Sequence, residues 1–292
     1  MNYRKTSNQI SLSVKYRKVN FPIDSSIPKY WLNNDCFLTR FLDALAMHFP
    51  DGEKFFIYSV RAYSAEITDE KLKHEVSSFV KQEAMHGMEH TKYNEILRSQ
   101  GIKVDQILDS FVEIIKFTKK HLPKKWLLAT TVAAEHFTAT LAEGLIGDEQ
   151  GLLDNADETM RAMFTWHAVE EVEHKTVAFD VYDQAAGGGY FTRVIALIFL
   201  TVMLNVFVLR FVNHMLKVDG VTQRYRILLK GIWSLYKPNG VFSGLGKSYL
   251  AWFKPGFHPS QTGVPVRIAQ WIELYDAGND PITNAEKIIN SA

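Results

Sequence analysis

Cysteine is almost absent: Cys36 is the only one in 292 residues. No disulfide can close within the chain, and no Cys-rich zinc pattern is available. An excess of one charge is missing too. The formal net charge is +1, so composition offers no argument for nucleic acid or any strongly charged partner. The opening stretch MNYRKTSNQISLSVKYRK has no apolar run of the secretory kind, and the cytoplasm is the expected location. No P-loop, dinucleotide fingerprint or Ser/His/Asp set occurs. Long uncharged apolar runs are scarce, with one exception at 194–209.

What is present begins with a core. Apolar residues make up 47% and aromatics 13% of the chain, enough for one large or two small domains. The chemistry gathers in 164–182, FTWHAVEEVEHKTVAFDVY. Glu171 and His174 stand three apart, and His167 lies one turn earlier. At roughly 100° per residue these three share about 60° of one helix face. A carboxylate beside two imidazoles is poor packing and good metal chemistry. On the same scale Glu170 falls at the fringe of the face, and Glu173 is expected to point to solvent.

An earlier stretch, 79–94, repeats the arrangement as FVKQEAMHGMEHTKYN. Glu83 and His86 form a second Glu-x-x-His, and His90 adds an imidazole one turn on. Each copy follows a segment with a well-placed Glu. Glu53 precedes Glu83 by 30 residues, and Glu135 precedes Glu171 by 36. Antiparallel helices of ~20 residues joined by short loops put such residues at one height. Four helices could then aim Glu53, Glu83, His86, Glu135, Glu171 and His174 at one point, with His90 and His167 as further ligands. Glu135 sits in the nearly uncharged TTVAAEHFTATLAEGLI, where an unpaired carboxylate is costly to bury. Glu143 is a weaker substitute, and His136 is expected in packing.

The order Glu, Glu-x-x-His, Glu, Glu-x-x-His resembles the ferritin-like di-metal carboxylate superfamily. Within it, FPDGEKFF, FVKQEAMHGMEH, TTVAAEH and WHAVEEVEHK resemble the family labelled "predicted metal-dependent hydrolase". The resemblance covers about residues 20–260. It implies an all-α fold: a ferritin-like four-helix bundle with additional C-terminal helices. It also implies two bound metal ions, with iron expected and manganese or zinc as alternatives. Glu83 and Glu171 would bridge, with Glu53 and Glu135 terminal. The favoured chemistry is O2 activation by a di-iron oxidase or oxygenase acting on a small apolar or amphiphilic substrate, with an external electron donor. The alternatives are hydrolysis and plain metal binding.

Three regions are expected: an arm (1–34), the metal-binding bundle (35–186) and an apolar helical extension (187–292). Alternation of Ile10, Leu12, Val14 and Tyr16 hints at a strand in a surface arm pinned by Tyr30 and Trp31. Pro50 suits the first turn of a helix over 50–66. Thr68 is expected to cap the next helix and Gly101 to stop it. Asp154 is expected to open the helix running to 184. The run 194–209 reads first as a helix buried on all sides or at a homodimer interface. A membrane-embedded or membrane-surface helix at the inner face of a membrane is the second reading, and a free-standing transmembrane anchor the third. His74 is expected at the surface and His258 in a solvated loop. Asp180 and Asp183 are candidates to orient histidines.

Overall fold

The computed structural model describes residues 14–147 and 151–290. Among these residues there are ten α-helices and no strand. Ile10 and Leu12 lie outside the described residues, and Val14 and Tyr16 sit in irregular backbone.

The first helix, α1, spans Cys36–Arg61. The Asp35 carboxylate accepts from the N–H groups of Phe37 and Leu38 and so caps it. Pro50 does not start a helix; α1 runs through it. An interior proline costs about 3 kcal/mol. That cost is offset by burial on both sides, from Phe41, Leu42 and Leu45 to Phe55 and Val60.

Helix α2 spans Glu70–Ser99. Asp69 rather than Thr68 caps it, accepting from Lys71 N at 2.7 Å and Leu72 N at 3.2 Å. Gly101, at φ +86°, provides the left-handed turn that ends the run. Helix α3 spans Val104–His121 and α4 spans Lys124–Ile146. Helix α5 spans Glu158–Gln184 and is capped by Asp157, after a 3-10 turn at Leu152–Asn155. Asp154 does not open α5; it accepts from Arg267 at 3.0 Å.

Helix α1 packs on α2 and α4, and α5 packs on α4 and α2. The four helices that carry the candidate ligands therefore close a ring. Along α5 nearly every residue from Ala162 to Ala178 is buried, charged ones included. A helix buried all round has no solvent stripe, so its carboxylates and imidazoles must find partners inside the protein.

Helix α6 spans Tyr190–Val218 and packs on α1 and α4. It is not buried on all sides. Leu197, Leu200, Phe211 and Met215 face the core, while Phe191, Ile195, Val202 and Val206 are exposed. Helix α7 spans Arg224–Tyr236, α8 Gly246–Ala251, and α9 Val266–Asp276. Helix α10, Pro281–Asn290, has no counterpart in the sequence reading and packs on α5.

The stretch before α1 is a structural part of the core. Trp31 is buried and donates from Nε1 to Asp43, which also accepts from the Tyr93 hydroxyl. Buried Arg40 pairs with Asp43 and, at 2.8 Å, with Asp219 at the end of α6. These bonds tie α6 to α1 and set the wall it forms beside the ring.

Candidate metal centre

The ring brings all eight candidate side chains together, one pair of motifs per helix pair. Glu53 comes from α1, and Glu83, His86 and His90 from α2. Glu135 comes from α4, and His167, Glu171 and His174 from α5. Every one of them is buried. His174 Nδ1 lies 2.8 Å from Glu83 Oε1, 3.6 Å from Glu135 Oε2 and 3.8 Å from Glu171 Oε1. His86 Nδ1 lies 3.7 Å from the same Glu171 oxygen. His167 Nε2 lies 3.1 Å from it. Two groups satisfy metal-ligand spacing: Glu83, His86, Glu171 and His174, and Glu53, His86 and His167. Close helix approach helps. A Cβ on Gly87 would stand 3.1 Å from Glu53 Oε2, so glycine there leaves room for that carboxylate.

The far side of each imidazole is held. His86 Nε2 lies 3.0 Å from Glu170 Oε2. His174 Nε2 lies 3.1 Å from Gln82 Oε1. Gln82 Nε2 donates to Glu173 at 3.0 Å, which leaves the Gln82 carbonyl oxygen to accept. Both imidazoles therefore carry their proton on Nε2, and both Nδ1 lone pairs face the centre. His90 stands behind His167, its Nε2 2.7 Å from His167 Nδ1. The Thr138 hydroxyl donates to Glu171 Oε2.

Glu173 does not point to solvent. Arg17 grips it with two nitrogens at 2.6 and 2.9 Å and reaches Glu170 at 3.2 Å. Arg17 itself is buried, so this part of the expected surface arm is an interior strut. Sequence reasoning missed Arg17 and Gln82. Three acids within four positions of an otherwise buried helix were the available signal, since each needed a partner. The partner, Arg17, lies 153 and 156 residues away from its two carboxylates, and no local pattern marks it.

Without a cation the centre is electrostatically unfavourable. Both carboxylate oxygens of Glu53, Glu83 and Glu135 lack hydrogen-bond partners, as do Nδ1 of His86 and His174. Buried polar groups in folded proteins are as a rule hydrogen-bonded, and here three whole carboxylates are not. Burial, then neighbouring carboxylates, push Glu53, Glu83 and Glu135 well above the ordinary 4.5. Burial pushes His86 and His174 below 6.5. Burial would raise Glu171 as well, but the His167 bond and the adjacent imidazoles bring it to about 2. Unpaired oxygens aimed at unprotonated nitrogens fit divalent cations, which remove both desolvation costs at once.

The pH dependence follows. Folded and metal-free, the chain keeps the protons of Glu53, Glu83 and Glu135 where the unfolded chain has lost them, so its stability falls as pH rises above 4.5. Below 6.5 the unfolded chain binds protons that His86 and His174 refuse, so stability also falls toward acid. Bound cations relieve the penalty at neutral pH. With metal at a thousandfold its Kd, the gain is about 4 kcal/mol, or roughly 10 °C in Tm. Excess chelator should remove that gain near neutrality and little of it near pH ~5, where protons displace metal. Calorimetry with and without chelator checks this. A Tm unmoved by chelator at neutral pH would contradict metal binding.

Other sequence candidates lie elsewhere. His136 stacks on Trp252 at 4.7 Å, as packing. Glu143 accepts from Ser248 at 2.7 Å, away from the centre. His258 is not simply solvated; it bonds Asp180 at 3.0 Å. His74 is exposed. A cavity of about 90 Å³ reaches the centre between α1, α3, α4 and α6. Phe49, Phe56, Phe137, Met203 and Leu204 line it, and Glu53, His167 and Glu171 stand at its inner end.

No curated protein and no solved structure matches the chain. The model of the family described as "Predicted metal-dependent hydrolase" matches residues 15–263. That span takes in Arg17, all eight clustered candidate side chains and the helix α6 that walls the cavity. The chain belongs to this family of predicted metal-dependent hydrolases.

Proposed function

We propose that the protein is a hydrolase working with two divalent ions on an ester or phosphoester that carries an apolar group. The observation that carries this reading is the set of unpartnered buried oxygens of Glu53, Glu83 and Glu135 facing two imidazole lone pairs. Glu83, Glu135 and His174 would hold one ion, and Glu53, His86 and His167 the other. Glu171 would lie between them, since its Oε1 is 3.8 Å from one Nδ1 and 3.7 Å from the other. In this assignment His90 positions His167 and binds no metal. The ring of helices and the motif order support kinship with the ferritin-like superfamily.

When bound, such ions activate water and polarise a carbonyl or phosphoryl oxygen. The chain supplies the rest. Arg17, Glu170, Glu173 and Gln82 fix the imidazole tautomers. Thr138 holds one Glu171 oxygen. Glu53 lines the cavity, and an ion would engage one of its two unpartnered oxygens and leave the other. An oxygen of Glu53 is therefore the group to take the proton of an attacking water. Apolar cavity walls exclude bulk water and accept the apolar end of the substrate.

A second reading keeps the same ligands and loads iron for O2 chemistry. The apolar cavity favours it, because O2 and a C–H substrate need no polar lining. The family assignment supports hydrolysis instead. The discriminating experiment compares zinc- or manganese-loaded with iron-loaded protein on short- and medium-chain aryl esters and phosphoesters, with O2 uptake followed in parallel. Hydrolysis by the zinc or manganese form, lowered about 100-fold or more by Glu53→Gln, is the expected result. O2 uptake by the iron form with no hydrolysis by any form would overturn it.

A further inference from the structure

The outer face of α6 is apolar without interruption. Phe191, Ile195, Ile198, Phe199, Val202 and Val206 are 42–77% exposed. At 100° per residue they share roughly a 100° stripe about 22 Å long. A monomeric protein rarely leaves such a patch to water. The opposite face of α6, through Leu197, Leu200 and Phe211, is buried against the ring. The helix therefore lies along a surface rather than crossing one.

Helix α7 repeats the theme with charge added. Tyr225, Leu229, Trp233 and Tyr236 are 54–68% exposed and fall within roughly 80° of one face. Arg226, Lys230 and Lys237 are exposed along one edge of that stripe. Its other face is anchored: Gly231 and Leu235 are buried, and a Cβ on Gly231 would run into the Phe37 ring.

Charge identifies the occupant. Residues 184–272 hold ten Lys and Arg and a single acid, Asp219. That acid is buried in pairs with Arg40 and Lys29. With the whole chain at +1, the remainder carries −8. Of these cations Arg210, Lys217, Arg226, Lys230 and Lys237 are exposed on α6, on α7 or directly after it. Apolar and aromatic stripes edged by cations are the mark of a helix lying in the headgroup region of an anionic bilayer. A second copy of this chain would bring like charges together instead.

We propose that α6 and α7 dock this protein on an anionic lipid surface. The contact is independent of the chemistry at the centre. Phe199 belongs both to the docking face and to the cavity wall. The apolar route to the carboxylates therefore opens on the lipid side.

The test floats the full chain with vesicles of phosphatidylcholine, and of phosphatidylcholine with an equal amount of phosphatidylglycerol. Binding to the anionic vesicles, weakened by high salt, is expected. Each cation contributes about fivefold to partitioning. K230E/K237E should therefore lower binding by roughly 25-fold or more. W233S/V202S should also lower binding while helix content stays unchanged. Failure to float with anionic vesicles overturns the proposal. So does wild-type binding by both double variants. So does a dimer that W233S/V202S splits into monomers when neither form binds vesicles; that result would assign the face to a second copy.

Discussion

Glu135→Gln should strip most of the bound metal and leave the metal-free chain more stable than the metal-free parent. Glu135 is fully buried, and neither of its oxygens has a hydrogen-bond partner. Its surroundings are Glu171, Glu83 and Glu53, which together with burial push its carboxyl up. The amide keeps the shape, removes the charge and can donate to a neighbouring carboxylate. The metal-free parent must hold a proton on Glu135 at neutral pH, at about 1.4 kcal/mol for each pH unit above its ordinary value, and the amide escapes that cost. The same change removes an anionic ligand. Losing even an outer partner of a metal site costs 10–100-fold in affinity, so loss of Glu135 should cost at least ~100-fold. Metal analysis after dialysis and calorimetry of chelated protein read the two effects separately. Full metal retention would remove Glu135 from the centre. A chelated variant less stable than the chelated parent would make Glu135 a structural carboxylate with its own partner.

Arg17→Met should lower stability by about 3–5 kcal/mol, the cost of leaving a buried partner without its counter-charge. Two carboxylates, Glu170 and Glu173, depend on this one guanidinium. The fall in Tm should be roughly 10 °C. Lysine should not rescue it, because Arg17 uses both terminal nitrogens on two acceptors. The double change Arg17→Met with Glu173→Gln should recover part of the loss, since one orphaned charge is gone. Metal affinity should drop about 10–100-fold as Glu170 and Gln82 cease to hold His86 and His174. Calorimetry and metal titration together give the answer. A loss below ~1 kcal/mol would place the ion pair with ordinary surface bridges.

Much of the centre was legible before any fold was known. Helical periodicity places Glu171, His174 and His167 on one face, and the echo at Glu83, His86 and His90 repeats it. Loop and helix lengths bring Glu53 and Glu135 to the same height. These are short-range properties, set by 3.6 residues per turn, and chain order suffices to read them. Helix type was equally plain from the same periodicity. Caps and breaks were less legible where two rules competed. Pro50 carries a local stop signal, yet packing on both sides of it keeps α1 continuous. Asp69 outcompetes Thr68 because its carboxylate reaches two N–H groups.

What the chain alone determined is therefore the helices, their polar stripes and the set of candidate ligands. Tertiary structure decided three things that no local pattern holds. It buried Glu173, which its angle on α5 had put in solvent, because Arg17 arrives from the other end of the chain. It left one side of α6 bare, because the ring of four helices offers only one face for α6 to cover. It aimed the Nδ1 atoms of His86 and His174 inward, because Glu170 and Gln82 occupy the other nitrogen of each ring. Each outcome depends on contacts between residues far apart in sequence, and such contacts exist only once the helices have packed.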